Sequence, residues 1–487
     1  MTNFDIREPV VAGKFYSENA VRLRLSIEKF LQEAEAVRGS TNPVAMIVPH
    51  AGYIYSGQIC ADGFRQTANS IYDIVVILGT NHTSPNFPKI SLYPGDGFRT
   101  PLGTAMIEKE VVAALLKEAP DECVADQSLH MHEHSVEVMV PFVQVVFPDA
   151  KIIPAVVGSS DLRIVERFGQ ALAKVLKNRK ALIVASSDLS HYPSAEDAAM
   201  VDRETLEAMA SMDPAAFRTI LQAHRKRGIP HLSTSACGEA PVLVAMSAAR
   251  LLGATGGMVV SYANSGDVPI GDRARVVGYG AVIFSKEPPK NIIKTKQYNG
   301  FATSVPLAQS DKKALLAFAR ETLSRVFTTD TVPLPRNFSA ALEQPRGVFV
   351  TLKKKGELRG CIGRMIGDEP LGKLVGAMAI QSAFHDRRFQ QLSAAEMKEV
   401  EIEISVLTPM KPVAGAEDIV VGRDGVLLSK DGRSAVFLPQ VATEQGWSLE
   451  EMLDHLCRKA GLAAGSWKKG AQFSTFQAEV FSESQIH

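Results

Sequence analysis

The stretch "ALIVASSDLSHY", residues 181–192, joins an apolar run to a polar corner. A short, wholly apolar run is typical of a strand that is buried on both faces of a parallel sheet. Asp188 and His191 follow that run directly. Such a corner is either a capped polar turn or the edge of an active site, and the segments around it are needed to decide between the two.

Apolar runs of the same kind recur through the first 285 residues and alternate with amphipathic segments. This alternation predicts an α/β domain over residues 1–285, with a mostly parallel sheet flanked by helices. The predicted strands lie in "VAMIVPH", "DIVVILG", "KIIPAVVG", "ALIVASSD", "MVVSYANS" and "RVVGYGAVIFS", and helical patterns include "EKEVVAALLKE", "SVEVMVPFVQVVF" and "RIVERFGQALAKVLK".

A change in sequence composition after residue 285 indicates a second domain. The chain has 487 residues, whereas single hydrophobic cores stop growing at roughly 250–300 residues. Residues 286–309 are polar, contain three prolines and show no period, which predicts a linker. Residues 310–487 mix helical and strand-like segments without a regular βα rhythm, which predicts an α+β domain.

Composition excludes several classes of protein. Basic and acidic residues balance at 53 each, so the composition does not indicate a surface that binds polyanions. No apolar stretch approaches the roughly 20 residues that cross a bilayer, and the N-terminus lacks the pattern of a signal peptide. The five cysteines form no CxxC pair and are too scattered for a disulfide scaffold. We therefore expect a cytoplasmic protein without a membrane anchor.

Ligand-type side chains follow several of the predicted strands. His50 ends one strand and His82 follows another, as Asp188 follows a third. The carboxyl ends of strands in an open α/β sheet meet at one crevice, so these side chains are expected to lie together. Cys237 stands near the start of a predicted helix, where free N–H groups favour a thiolate, and is the best ligand candidate among the cysteines.

Two imidazoles and one anionic ligand predict a metal site that resembles the facial triad of non-haem iron proteins. Fe²⁺ is therefore the expected ion, although a thiolate ligand leaves copper and zinc open. A fifth segment, "HMHEHSVEVMVPF", places Glu133 and His134 at the predicted start of a helix. Asp188, His134 and His191 are expected beside the ligands, where they orient imidazoles or transfer protons.

Each of these residues has an ordinary structural explanation when it is taken singly. A buried histidine is more often structural than a ligand, a single cysteine is more often a small buried hydrophobe, and Asp188 suits a helix N-cap. Recurrence favours the metal site, because several strand ends and helix starts all carry residues that bind metals.

Six motifs then indicate a family. "VPHAGYIYSG", "ILGTNH", "FRTPLG", "EHSVEVMVPF", "SSDLSHY" and "ACGEAPV" occur in that order, and together the region of residues 5–285 closely resembles the Memo family. The resemblance implies a fold like that of the class III extradiol (LigB-type) dioxygenases. It implies His50, His82 and Cys237 as metal ligands. It also places His134 and His191 where those dioxygenases have acid–base histidines.

One departure from the dioxygenase pattern matters. Where those enzymes supply a glutamate as the third ligand, this chain has Cys237, with Glu239 two residues later. Ring-cleaving activity therefore does not follow from the fold.

The second domain contains its own candidate site. "GELRGCIG" places Cys361 between glycines, and "FHDRRF" places His385 beside a carboxylate and two arginines. Cys361 is a candidate catalytic nucleophile if His385 lies close enough to act as its base. A tight turn with a buried cysteine and a solvated basic helix end explains the same residues equally well. A further alternative is nucleic-acid binding by four arginines of this region, Arg359, Arg364, Arg387 and Arg388, which the neutral overall charge does not favour.

The same region resembles a second family. "LRGCIG", "AFHDRRFQ", "EIEISVLTP" and "GRDGVLLSKDGRSAVFLPQVA" are similar to the AMMECR-type domain across residues 310–485. Members of both families tend to occur with a radical-SAM protein, so the resemblance implies such a partner.

These observations together predict an oxidoreductase. The first domain is expected to bind one metal ion and to perform redox or O₂-dependent chemistry on a small organic substrate. The alternative is a scaffold derived from a dioxygenase fold that holds a metal or binds a peptide without catalysis. The sequence gives no indication of the oligomeric state or of whether the two domains share a site.

Overall fold

A computed structural model describes residues 4–34, 42–68, 70–287, 306–365, 367 and 369–486. The chain divides into two compact units. The first comprises Met1–Lys296 with Thr328–Leu334, and the second comprises Gln297–Phe327 with Pro335–His487. Most of the predicted linker, residues 288–305, lies outside the described residues. Within the described ranges, no helix is both long and apolar enough to cross a bilayer.

The first unit alternates strands and helices, as the sequence predicts. Its strands are β1 (Ile6–Arg7), β2 (Pro43–Val48), β3 (Ile74–Thr80), β4 (Ile90–Leu92), β5 (Gly97–Thr100), β6 (Gly103–Met106), β7 (Cys123–Ala125), β8 (Lys151–Val157), β9 (Ala181–Ser186), β10 (Gly256–Asn264) and β11 (Gly278–Ser285). Its helices are α1 (Ala20–Glu33), α2 (Tyr53–Arg65), α3 (Lys109–Glu118), α4 (Val140–Val146), α5 (Leu162–Leu176), α6 (Ala195–Ala210), α7 (Pro214–Arg227) and α8 (Glu239–Leu251).

The main sheet has eight strands in the order β10-β11-β2-β9-β3-β8-β4-β7. The central strands β2, β9, β3 and β8 run parallel, and nearly all of their residues are buried because helices cover both faces. β10 and β11 pair antiparallel at one edge, and β4 pairs antiparallel with β8 toward the other. The predicted α/β class is confirmed, with antiparallel additions at both sides of a parallel centre.

The order of the central strands brings the predicted polar corners together. β2, β9 and β3 are adjacent and parallel, and they are followed by His50, Asp188 and His82 respectively. Since parallel strands present their carboxyl ends at one edge, these three side chains start from neighbouring points of the sheet.

The segment before α4 differs from the prediction. Glu133 and His134 were expected to open a helix, but a short 3₁₀ helix begins only at Glu137 and α4 at Val140. Glu133 and His134 lie in the irregular segment before it. The helix is delayed because the Glu133 carboxylate accepts hydrogen bonds from the backbone N–H groups of His82 and Ser135, and because Glu137 forms a buried ion pair with Arg7.

That ion pair ties the N-terminus to the first unit. Arg7 and Glu137 are both fully buried, with 2.6 Å between Nη1 and Oε2. The Arg7 guanidinium also donates to the backbone oxygens of His130 and Glu133. Through Arg7, the N-terminal segment therefore fixes the backbone of the segment that contains His130 and Glu133. A small three-stranded sheet, β1-β5-β6, forms beside it.

The second unit is α+β, as predicted. Its helices are α9 (Gln309–Thr328), α10 (Leu371–Phe384), α11 (Pro439–Glu444) and α12 (Leu449–Lys459). Its strands are β12 (Val348–Lys354), β13 (Glu357–Arg364), β14 (Val400–Leu407), β15 (Lys411–Val413), β16 (Gly425–Lys430), β17 (Arg433–Phe437), β18 (Gln472–Phe476) and β19 (Ala478–Ser482). They form two antiparallel sheets, β13-β12-β14-β19 and β15-β18-β16-β17.

Candidate metal centre

His50 is held at the end of β2 in one tautomer. It is 2% exposed, and its backbone N–H donates to Asp188 Oδ1 at 2.8 Å. His50 Nδ1 lies 2.7 Å from Ser186 Oγ, and the single hydroxyl hydrogen of Ser186 is donated to the Ser135 carbonyl at 2.8 Å. The hydroxyl can therefore only accept from the imidazole, so the proton sits on His50 Nδ1 and Nε2 carries a free lone pair.

His82 is fixed in the same way by a carboxylate. Its Nδ1 lies 2.9 Å from Glu133 Oε1, and its backbone N–H donates to Glu133 Oε2 at 2.7 Å. An ionised carboxylate only accepts hydrogen bonds, so Nδ1 carries a proton and, in the neutral ring, Nε2 has the free lone pair. This carboxylate–histidine arrangement is the one that metal-binding histidines usually show.

Cys237 lies just before α8 and points at His50. Its Sγ is 3.3 Å from His50 Nε2. Asp188 fixes the cysteine, because its N–H donates to Sγ at 3.3 Å and its carbonyl accepts from the Cys237 N–H at 3.2 Å. The next residue must be glycine, since a Cβ on Gly238 would lie 2.6 Å from the Ser186 carbonyl oxygen.

The structure thus brings His50, His82 and Cys237 into one group. One ligand atom from each lies within 4.8 Å of the others. Metal–ligand bonds of about 2.0–2.3 Å place neighbouring ligands roughly 3–3.6 Å apart, and the Sγ to Nε2 distance already has that value. The ligand atom of His82 lies within 4.8 Å of the other two, so a small movement of the His82 side chain is enough to place all three around one ion.

The predicted acid–base residues border this group. The His134 ring stacks on the His82 ring at 4.7 Å between centroids and meets the His50 ring edge-on at 5.5 Å. His191 Nδ1 donates to the Leu189 carbonyl at 3.0 Å, which leaves Nε2 as the free nitrogen of the neutral ring. Ligand-type atoms of His191, Asp188 and Cys237 also lie within 4.8 Å of one another.

Burial sets the charges of the group. It holds the pKa of His50 well below the usual value, and the neighbouring imidazoles of His82 and His134 add to this effect. Burial likewise lowers the pKa of His134. Burial pushes the pKa of Glu133 upward, but hydrogen bonds from His82 and Ser135 outweigh it and bring that pKa to about 2. The group therefore combines neutral imidazoles with a fixed anion, which attracts a cation.

The expected thiolate character of Cys237 is wrong for the protein without an ion. Burial, followed by the nearby Asp188, raises the pKa of the Cys237 thiol well above its usual value. The helix end does not compensate, because α8 begins at Glu239 and Cys237 lies outside its first turn.

Comparison with known proteins identifies the first unit. Residues 7–283 match the family described as Memo-like protein, which is more than half of the chain. The chain belongs to the Memo family. A MEMO1 family protein from Aquifex aeolicus is 37% identical over 287 residues, which cover 57% of this chain and 99% of that protein. A MEMO1 family protein from Methanopyrus kandleri is 32% identical over 293 residues, 58% of this chain and 99% of that protein.

The second unit of this Memo-family chain matches another family. Residues 316–481 match AMMECR1, which confirms a fusion of the two families. Among solved structures, the crystal structure of an uncharacterized protein from Pyrococcus horikoshii is 34% identical to part of this chain; the match covers 36% of this chain and 93% of that one, with a TM-score of 0.34.

Cys361 lies on β13 in the second unit. Its sulfur accepts from the Thr351 hydroxyl at 3.2 Å, and its backbone N–H donates to Asp386 Oδ2 at 2.9 Å. Burial raises the pKa of this thiol. Among hydrogen bonds between described residues, none joins Cys361 to His385. The catalytic role of Cys361 stays a prediction; the hydrogen-bond partner of its thiol is Thr351, and the Asp386 carboxylate bonds to its backbone.

Arg359 and Arg388, which lie near Cys361, form ion pairs within the second unit. Arg359 pairs with Glu396, and Arg388 pairs with Asp386 at 2.7 Å. The charges of these two arginines are largely neutralised by the carboxylates, which does not favour an extended surface for the backbone of a nucleic acid.

The roles of two residues of the centre could not be predicted from the sequence. Ser186 fixes the His50 tautomer and Glu133 fixes His82. Glu133 had a visible signal, since it stands between two histidines in "HEHSVE". Ser186 had none, because its role depends on a carbonyl 51 residues away in sequence.

Proposed function

We propose that the first unit of this Memo-family chain binds one redox-active metal ion, with Fe²⁺ the first candidate, through His50, His82 and Cys237. We further propose that the site performs redox or O₂-dependent chemistry on a small organic molecule. The observation that carries this proposal is the pair of fixed tautomers. Both imidazoles are hydrogen-bonded through Nδ1, and both therefore present Nε2 lone pairs in the group that contains the Cys237 thiol.

The donor set fits such an ion. Two neutral imidazoles and one thiolate are ligands for iron, copper or zinc, and three protein ligands leave positions for a substrate. Cys237 must lose its proton when the ion enters, as thiol ligands generally do. When bound, the ion supplies a Lewis acid and, in the case of iron or copper, a redox centre.

The surrounding residues would handle protons. His191 has a free Nε2 and lies against Asp188 and Cys237, so it can accept a proton from a substrate hydroxyl and return it later. His134 is neutral and stacked on His82, which places a second base at the other side of the group. Asp188 orients His50 and Cys237 through its backbone and carboxylate and is proposed as a positioning residue.

The test is metal content after anaerobic purification. We expect close to one metal ion per chain in the native protein and little in Cys237→Ala or His50→Ala. Cys123→Ala is the matched control, because Cys123 is buried in the same unit and its thiol is bonded to the Ala119 carbonyl. Unchanged metal content in Cys237→Ala overturns the ligand set.

Oxygen consumption separates catalysis from metal handling. A loaded protein that consumes no O₂ with catechols or amino-acid-derived compounds supports the scaffold alternative. The proposed radical-SAM partner rests on the family resemblance, and co-elution of the two purified proteins tests it.

A further inference from the structure

We propose that the second unit carries a separate binding site for a small aromatic anion, meaning a planar ring that bears a carboxylate or phosphate group. The site is a cavity at the C-terminal end of α10, next to β13. This inference does not depend on the proposed metal centre, which lies in the first unit.

The cavity has the size and lining of a small-molecule site. Its volume is about 450 Å³, within the range of roughly 300–1,000 Å³ that such ligands occupy. Two half-buried phenylalanines provide apolar walls, and polar side chains provide the rest. The lining residues are Gln381, Phe384, His385, Asp386, Arg387 and Phe389.

The turn that forms the cavity is held rigidly by one carboxylate. Asp386 is 6% exposed, and it accepts from the Cys361 N–H at 2.9 Å and from the Arg388 N–H at 3.1 Å. The Arg388 guanidinium donates to both carboxylate oxygens of Asp386 and also to the Cys361 carbonyl at 3.1 Å. Both backbone polar groups of Cys361 are thus tied to the turn, so little ordering is left for a ligand to impose.

The charge around the cavity is positive. The Asp386 carboxylate is neutralised by Arg388, and hydrogen bonds from that guanidinium lower the pKa of Asp386. Within the described ranges, Arg387 has no carboxylate at ion-pair distance, although it lines the cavity. An arginine left without a partner at a cavity wall is suited to a carboxylate or phosphate.

A second unsatisfied donor lies close by. Arg359 Nε and Nη2 pair with Glu396, but Arg359 Nη1 is buried and has no hydrogen-bond partner among the described residues. The Arg359 guanidinium is 6.0 Å from the centre of the Phe389 ring that lines the cavity. Buried donors without partners are rare, and a bound anion is one common reason for them.

The apolar walls indicate that the anion is aromatic. Phe384 and Phe389 present rings to the cavity, and the Arg388 guanidinium lies 5.6 Å from the Phe389 ring centre. Aromatic side chains bind planar rings by stacking or edge contacts. Gln381 and His385 are four residues apart at the end of α10 and therefore lie on one face, where they can hydrogen-bond substituents of the ring.

A single-stranded nucleic acid would also use aromatic and cationic contacts, but it needs a groove of several cations that follows its backbone. Here Lys354, Arg359 and Arg388 are already paired with carboxylates, so the positive charge is confined to the cavity. A small molecule is therefore the occupant that the charges favour.

Calorimetric titration of the full, metal-depleted chain tests the proposal. The probes are phenyl phosphate, benzoate, benzyl alcohol and inorganic phosphate. We expect at least one aromatic anion to bind about tenfold or more tightly than benzyl alcohol and inorganic phosphate. Because hydrogen bonds to charged groups contribute strongly, Arg387→Gln should weaken that binding about ten- to hundredfold. Arg458→Gln, which alters an exposed arginine on α12 of the same unit, should leave it unchanged.

Several results would overturn the assignment. These are the absence of heat with every aromatic anion, equal affinity for inorganic phosphate, or equal affinity in Arg387→Gln. Loss of binding in Cys237→Ala would place the probes at the candidate metal centre instead. Tighter binding of an RNA oligonucleotide, with a steep salt dependence, would assign the cavity to nucleic acid. A shift between benzoate and phenyl phosphate only decides which anionic group the supported site prefers.

Discussion

Replacing Glu133 by glutamine removes one charge and changes almost nothing in shape. The carboxylate of Glu133 accepts three hydrogen bonds: Oε1 from His82 Nδ1 and the Ser135 N–H, both at 2.9 Å, and Oε2 from the His82 N–H at 2.7 Å. The side chain is fully buried, so no water replaces a lost partner.

A glutamine cannot satisfy these three donors in either orientation. With its oxygen at the Oε1 position, the amide nitrogen faces the His82 N–H, and two donors oppose each other. With its nitrogen at the Oε1 position, His82 must move its proton to Nε2, which removes the lone pair that a metal needs, and the Ser135 N–H is left without an acceptor. One unsatisfied buried donor costs about 1–3 kcal/mol, which corresponds to roughly 5- to 150-fold in affinity. Losses of 10–100-fold are typical when the partner of a metal-bound histidine is changed.

Competition titration with a chromophoric chelator under anaerobic conditions measures this change for Fe²⁺ and Zn²⁺. The control is Glu108→Gln, since Glu108 pairs with Lys151 at the opposite end of the central sheet. We expect weaker binding by about one to two orders of magnitude in Glu133→Gln and native affinity in the control. Native affinity in a folded Glu133→Gln protein would refute the conclusion that this carboxylate holds His82 as a ligand.

Three further outcomes follow from buried contacts of the first unit. Glu137→Gln leaves the Arg7 charge buried without its partner, so the free energy of unfolding should fall by about 3–5 kcal/mol in denaturant titrations; a loss below about 1 kcal/mol would contradict the role of the pair. Gly238→Ala forces a Cβ against the Ser186 carbonyl, so Cys237 should shift and metal affinity should drop while the far-UV spectrum stays native. Burial raises the pKa of Asp202 from 3.8 to about 7. Between these two values the folded state holds a proton that the unfolded state has lost. The free energy of unfolding should therefore fall as the pH rises from about 4 to 7, by up to about 1.4 kcal/mol per pH unit. Asp202→Asn should remove this pH dependence, and parallel stability profiles for the two proteins would contradict it.

The strands of the first unit could be predicted closely because their residues are apolar and partly β-branched over short runs. "DIVVILG" becomes β3 and "KIIPAVVG" becomes β8, each within a residue of the predicted bounds. The convergence of His50 and His82 also followed from sequence, since strand ends of a parallel sheet share an edge.

Long-range contacts account for what the sequence did not reveal. The helix expected at Glu133 is absent because that carboxylate bonds to His82, which lies 51 residues earlier. The pKa of Cys237 moves in the opposite direction to the prediction because burial outweighs the helix end, and burial depends on the whole fold. The pairing of Arg7 with Glu137 joins residues 130 apart, and periodicity carries no information about it.

The corner at residues 186–188 explains how a single stretch of sequence builds the centre. Ser186 ends β9 and sets the proton of His50, while Asp188, two residues later, bonds to the backbone of both His50 and Cys237. Two candidate ligands that are 187 residues apart in sequence are therefore positioned by one turn. Because Asp188 contacts Cys237 through its backbone and His50 through its carboxylate, a substitution of its side chain keeps the backbone hydrogen bonds to Cys237 and removes the hydrogen bond to His50. The corner thus positions two candidate ligands relative to each other. Its polar groups are used in hydrogen bonds to His50 and Cys237, and so we assign Ser186 and Asp188 a positioning role.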